Sequence, residues 1–137
     1  MAVVNELIRK EADGSISFGN YELAQKSKVE DFPVGGDLLK VKTFNEITKL
    51  EKNGLFLYES VPGTAVNGFK ETADGIEFTV EGAEDAQITL GLEDETSYEI
   101  FVNGASTGKV QTGLGGKLSV SVETANADAV AVKVVKA

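Results

Sequence analysis

The sequence has no histidine, no cysteine and no tryptophan, and its single arginine is Arg9. Each absence removes a class of chemistry. Without histidine the chain lacks the commonest general base and the commonest metal ligand. Without cysteine it has no thiolate nucleophile, no zinc–sulfur site and no disulfide framework. A serine triad has no histidine to complete it, and no motif supports a Ser–Lys pair. Neither a Gly-x-x-x-x-Gly-Lys phosphate loop nor a dinucleotide fingerprint occurs. There is no apolar run near the ~20 residues that a membrane helix requires.

What is present is acidic. The 137 residues carry 13 basic and 22 acidic side chains, a net charge of −9. Residues 1–68 hold 8 basic and 10 acidic groups; residues 69–137 hold 5 and 12. Such a surface repels a phosphate backbone and an anionic bilayer, so neither nucleic acid nor membrane is an expected partner. The N-terminal stretch, with Glu6 early and no extended apolar run, does not read as a secretory signal. With the lack of cysteine, it leads to the expectation of a cytoplasmic protein. No cofactor is expected.

The N-terminal pattern is irregular. Val3, Val4, Leu7 and Ile8 are spaced for one face of a short helix, too brief to stand alone. Asp13-Gly14 signals a turn. Ile16 and Phe18 begin a period-two pattern, and Gly19-Asn20 suits a hairpin turn before Tyr21 and Leu23. Residues 24–37, with Pro33 and Gly35-Gly36, read as a loop. Leu39, Val41 and Thr43 start another strand, residues 46–51 fit either helix or strand, and Asn53-Gly54 is a strong hairpin signal. Val61-Pro62-Gly63-Thr64 matches a type II turn.

The second half alternates cleanly. Ile76/Phe78/Val80, Ile88/Leu90/Leu92, Tyr98/Ile100/Val102, Val110/Thr112, Leu118/Val120/Val122 and Val130/Val132/Val134 are separated by polar residues and turns. About six strands, each with one apolar face, predict an antiparallel sandwich. The expected fold is therefore all-β: an antiparallel β-sandwich over residues 71–137, with a smaller β-rich N-terminal part over residues 1–70 that includes the short helix. Asn67-Gly68 and Asp74-Gly75 flank the boundary.

Paired carboxylates remain the one catalytic option, and the acidic clusters are Glu84-Asp85 and Glu93-Asp94-Glu95. Both fall in expected turns. Calcium could use the same oxygens, but neither cluster has the spacing of a dedicated loop. Surface apolar groups offer a second reading. Leu55-Phe56-Leu57-Tyr58 is apolar on both faces, the last strand is apolar on both faces except at Lys133, and Phe101 points away from Tyr98 and Ile100. Such strands are sandwiched between layers or covered by a partner. The candidate subunit interface comprises Val4, Leu7, Ile8, Phe56, Tyr58, Phe101, Val132 and Val134.

Two resemblances follow from longer stretches. Lys40-Val-Lys-Thr-Phe-Asn-Glu-Ile-Thr-Lys-Leu-Glu-Lys-Asn-Gly54, Tyr58-Glu-Ser-Val-Pro-Gly-Thr64 and Glu81-Gly-Ala-Glu-Asp-Ala-Gln-Ile-Thr-Leu90 resemble short proteins of clostridial gut bacteria labelled endosialidase or endosialidase-like. Tyr98-Glu-Ile-Phe-Val-Asn-Gly104 and Gly116-Lys-Leu-Ser-Val-Ser-Val122 are similar to β-sandwich accessory modules of polysaccharide-degrading enzymes. The first implies glycan cleavage and the second carbohydrate binding. Sialidase-like sites grip the sugar carboxylate with several arginine forks, and Arg9 alone cannot form such a cluster within one chain. The reading that follows is a non-catalytic structural protein that self-associates, with a homo-oligomer as partner. A carbohydrate-binding module is the alternative, and a carboxylate-dependent glycan hydrolase the second alternative.

Overall fold

The computed structural model describes residues 3–125 and 129–137. Among the described residues, thirteen strands form two antiparallel sheets packed face to face. In chain order they are β1 (Ile8–Lys10), β2 (Ile16–Phe18), β3 (Ser27–Val34), β4 (Asp37–Thr43), β5 (Thr48–Lys52), β6 (Leu55–Val61), β7 (Ala65–Glu71), β8 (Gly75–Glu81), β9 (Ala86–Gly91), β10 (Ser97–Val102), β11 (Ala105–Gln111), β12 (Lys117–Val122) and β13 (Val130–Lys136). The larger sheet has the order β1-β2-β7-β8-β13-β10-β11, and the smaller β12-β9-β6-β5-β4-β3.

The all-β expectation holds, and the six strands read in the second half are β8 to β13. The N-terminal helix does not form. Leu7 sits in the left-handed region at φ 72°, which stops a right-handed helix. The Val4 N–H donates to the Gly19 carbonyl and the Gly19 N–H to the Leu7 carbonyl, so this segment is tied to the end of β2 instead. Burying Val4 and Ile8 in the sandwich outweighs the weak helical preference of one short turn.

Residues 24–37 are not a loop throughout, because β3 occupies most of them. Its alternation is broken by a bulge: Val29 faces Val41, yet Phe32 faces Leu39, and Asp31 adopts φ 56°. The extra residue resets the period, so Val29, Phe32 and Val34 all pack against the core. Gly19-Asn20 does not open a hairpin to residues 21–23; β2 pairs with β1 and β7. Gly63 lies outside the left-handed region, so residues 61–64 do not form a type II turn; the Val61–Pro62 peptide is cis. Glycine is required at 63 for closeness, since a Cβ there would lie 2.0 Å from the Phe44 carbonyl oxygen. The Asn53-Gly54 and Asn103-Gly104 turns form as read, with both residues of each pair at positive φ.

Strands from both halves of the chain build both sheets. The residue 70/71 boundary runs inside β7, which pairs with β8, while β6 pairs with β9 across the same division. One hydrophobic cluster extends from Ile8 to Val134. Phe18, Tyr58, Phe69 and Phe78 meet at its centre, with ring centroids 5.2 to 6.2 Å apart and mostly edge-to-face.

A hydroxyl network closes one end of this core. Thr64 Oγ1 meets the Tyr58 hydroxyl at 2.8 Å and Ser60 Oγ at 2.7 Å. Thr48 Oγ1 donates to the Thr64 carbonyl, accepts the Thr64 N–H and contacts Thr43 Oγ1 at 2.8 Å. All five residues are buried. Among the described residues, no buried side-chain polar atom lacks a partner. Burial pushes the Tyr58 hydroxyl well above the usual tyrosine range, so it stays a neutral donor.

Candidate functional site: an acid-free sheet edge

The candidate interface residues separate into two groups. Val4, Ile8, Tyr58, Val132 and Val134 are buried in this chain's own core and offer nothing to a partner. Val132 and Val134 face inward with Phe78 and Ile76 beside them on β8, while Ala131 and Lys133 point outward. For Tyr58 the cause is another bulge. Leu50 pairs with Tyr58 but Glu51 pairs with Phe56, so Leu57 is the extra residue and both Leu57 and Tyr58 turn inward. Leu7, Phe56 and Phe101 remain partly exposed. Phe56 lies under the Lys117 ammonium, 4.9 Å from the ring centroid.

The charged candidates are tied into local structure. Arg9 Nε donates to Glu11 at 2.9 Å, and Arg9 also pairs with Glu6 at 3.6 Å, so its fork is engaged by two glutamates of its own hairpin region. Asp85 accepts the Ala125 N–H, and the Glu84 carbonyl accepts the Thr124 hydroxyl. Glu93 pairs with Lys136, raising the lysine's pKa, and Thr96 Oγ1 donates to the Asp94 carbonyl. Both acidic clusters thus brace exposed turns around β9, β10 and β12. Among the described residues, no group of three or more acidic side chains is placed to hold a metal ion.

The outer face of the larger sheet carries a shallow groove of about 520 Å³. Phe101 on β10 faces Lys133 on β13, which in turn faces Glu77 on β8. Thr79 lies between Ala131 and Asn67 in the next row. An aromatic ring therefore stands beside a carboxylate, an ammonium, a hydroxyl and an amide. Gly68 and Gly104 also line the groove, so its wall carries no side chain at these two positions.

The four sheet edges differ more sharply. β1 is only three residues long. β3 carries Pro33, a bulge and the charges of Lys28, Glu30 and Asp31, all devices that discourage strand addition. β12 has neither proline nor bulge, and its one charge is Lys117; it pairs with β9 in unbroken register from Lys117 to Val122. The Leu92 N–H donates to the Gly116 carbonyl. Alternation from that bond directs the backbone of Leu118, Val120 and Val122 towards β9 and that of Lys117, Ser119 and Ser121 to the open side. β11 is exposed at all seven residues. The Thr112 N–H donates to the Thr96 carbonyl, so the backbone of Lys109 and Gln111 faces its open side in the same way.

These two edges share a chemical feature. No aspartate or glutamate occurs between Glu99 and Glu123, although the chain has 22 acidic residues. The stretch contains β11, β12 and the corner between them, and its only charges are Lys109 and Lys117. It also holds two of the exposed large apolar side chains, Val110 at 42% and Leu114 at 86%. The sequence signal for this site is the gap in the acidic pattern; hydrophobic alternation points inward to the core and misses it. Comparison of the chain with family models, with curated proteins and with solved structures finds no match.

Proposed function

We propose that this chain is a non-catalytic structural protein that works by associating with copies of itself. The supporting observation is the open edge at β11 and β12. In a molecule of charge −9, two copies repel each other over most of their surfaces. The acid-free edge is where that repulsion is weakest, and its unpaired backbone groups can form a ladder with another strand. Size-exclusion chromatography with light scattering tests the reading. A dimer or larger species at micromolar concentration is expected, and a strict monomer overturns it. Release of sialic acid from polysialic acid by the purified chain, lost in Glu→Gln variants at 84 or 93, would overturn its non-catalytic part.

The groove at Phe101 favours a second reading, binding of a glycan without cleavage. A sugar presents an apolar C–H face to an aromatic ring and hydroxyls to carboxylate, ammonium and amide groups. A glycan array gives the decision: hits that vanish in Phe101→Ala support it, and an array without hits disposes of it.

A further inference from the structure

The two layers of the sandwich do not end together. On one side β1 touches β3, so the sheets begin in step. Seven strands in the larger sheet then run against six in the smaller, which leaves β11 beyond β12. Exposure agrees: every residue of β11 is exposed, whereas Leu118, Val120 and Val122 on β12 are buried. Val110 pairs with the buried Tyr98 and therefore points to the inner side of its sheet, yet it is 42% exposed, as a residue on an overhang should be. The larger sheet thus has a projecting ledge one strand wide, and the smaller sheet a matching step.

A ledge above a step complements a second copy of itself. We propose that two copies form a two-fold lap joint, with the axis along the strand direction and midway between the layers; the proposal rests on the self-association reading above. In this arrangement β11 of each copy lies beside β12 of the other, in the same layer. The larger sheet of one copy continues into the smaller sheet of the second, and the reverse occurs in the other layer. Four open edges become two ladders. The two Val110 side chains face each other across the middle and leave water. A direct pairing of β12 with β12 does not fit, because both ledges would then occupy the same space.

The chemistry of the joint is consistent with its shape. The strands that meet carry no carboxylate, so neither ladder places acid against acid. Their outward side chains are Lys109 and Gln111 on β11 and Lys117, Ser119 and Ser121 on β12, all short polar groups or lysines that can lie along a solvent-facing ladder. The edge β3, with Pro33 and the carboxylates of Glu30 and Asp31, stays free and ends the assembly at two copies.

The chain has no cysteine of its own, which allows a direct test by crosslinking. One preparation carries Lys109→Cys and another Ser119→Cys. The lap joint predicts that a short bismaleimide links the two only when they are mixed, because Lys109 of one copy adjoins β12 of the other on one outer face, whereas like positions lie in opposite layers. Crosslinking of Ser119→Cys to itself, or none in the mixture while the unmodified chain is dimeric, overturns the joint but leaves self-association standing. A strictly monomeric unmodified chain overturns both. In parallel, Val110→Lys should weaken dimerisation roughly tenfold or more with the far-ultraviolet circular dichroism unchanged, since it buries a charge on each ledge facing the same charge of the other copy. Ser119→Pro, which removes an N–H that faces the open side and an exposed hydroxyl contact with Thr89, should do the same. An unchanged dimer in both variants also overturns the joint.

Discussion

Thr64 is the residue on which the buried hydroxyl network depends. Its Oγ1 serves both Tyr58 and Ser60, while its backbone N–H and carbonyl both engage Thr48. Thr64→Val keeps the volume and deletes the hydroxyl, which strands two buried polar groups. We expect a loss of about 2 kcal/mol, read from urea unfolding, with the fold retained. Thr64→Ser should recover most of it. Tyr58 adds a pH dependence of definite sign. Burial raises its folded pKa above the ordinary value of 10.0, so the neutral hydroxyl is the form the fold favours. This contribution is fully present below the unfolded value and declines as the pH climbs above it, because the unfolded chain then releases a proton that the folded chain keeps. The urea midpoint of the unmodified chain should therefore fall more steeply above pH 10 than that of Tyr58→Phe. Parallel slopes in the two proteins would refute the assignment.

At the scale of elements, the β1–β2 hairpin holds the lone arginine in place. The Ser17 hydroxyl, and after it the Arg9 guanidinium, hold the Glu11 carboxyl below its ordinary value of 4.5. A carboxylate depressed in the folded state stabilises above its unfolded value, and the contribution disappears as the pH falls below it. Protection factors at Ser17 and Gly68, the exchange rates corrected for the intrinsic pH dependence of amide exchange, should fall on acidification through that range, and Glu11→Gln should remove the fall. Gly68 reports on the same contact because its N–H donates to Ser17 Oγ. The elements also show where period-two reading works and where it fails. β8, β10, β12 and β13 alternate without interruption on their core faces and are legible. β3 and β6 each contain a bulge, which shifts alternation by one residue, so β3 reads as a loop and Leu55-Phe56-Leu57-Tyr58 reads as apolar on both faces.

At the scale of the molecule, the two sheets interleave strands from both halves of the chain. β8 relies on β7, β9 relies on β6, and the aromatic cluster takes Phe18, Tyr58 and Phe69 from the first 70 residues and Phe78 from the rest. A chain truncated to residues 71–137 would expose one open edge on β8 and another on β9, and would lose most of the cluster. It should give a collapsed amide region in an NMR spectrum and no sigmoidal unfolding transition. Dispersed resonances and a cooperative transition from that fragment would restore a two-domain organisation.

Composition by itself determined the chemistry that is closed to this chain, because side chains that are absent cannot be supplied by any fold. Alternation by itself determined that the second half is a set of strands with one face each to the core, since a period of two can bury one side only in a sheet. Tertiary structure alone decided which apolar faces remain available. Val132 and Tyr58 are as hydrophobic in the sequence as any interface residue, yet inter-sheet packing consumes them. Strand order and the mismatch of seven strands with six decided that β11 and β12 are left open, because which strand lies at an edge depends on pairings between residues far apart in the chain. The missing carboxylates between Glu99 and Glu123 are visible in the sequence from the start. They acquire a meaning only when the fold brings that stretch to the rim of both sheets.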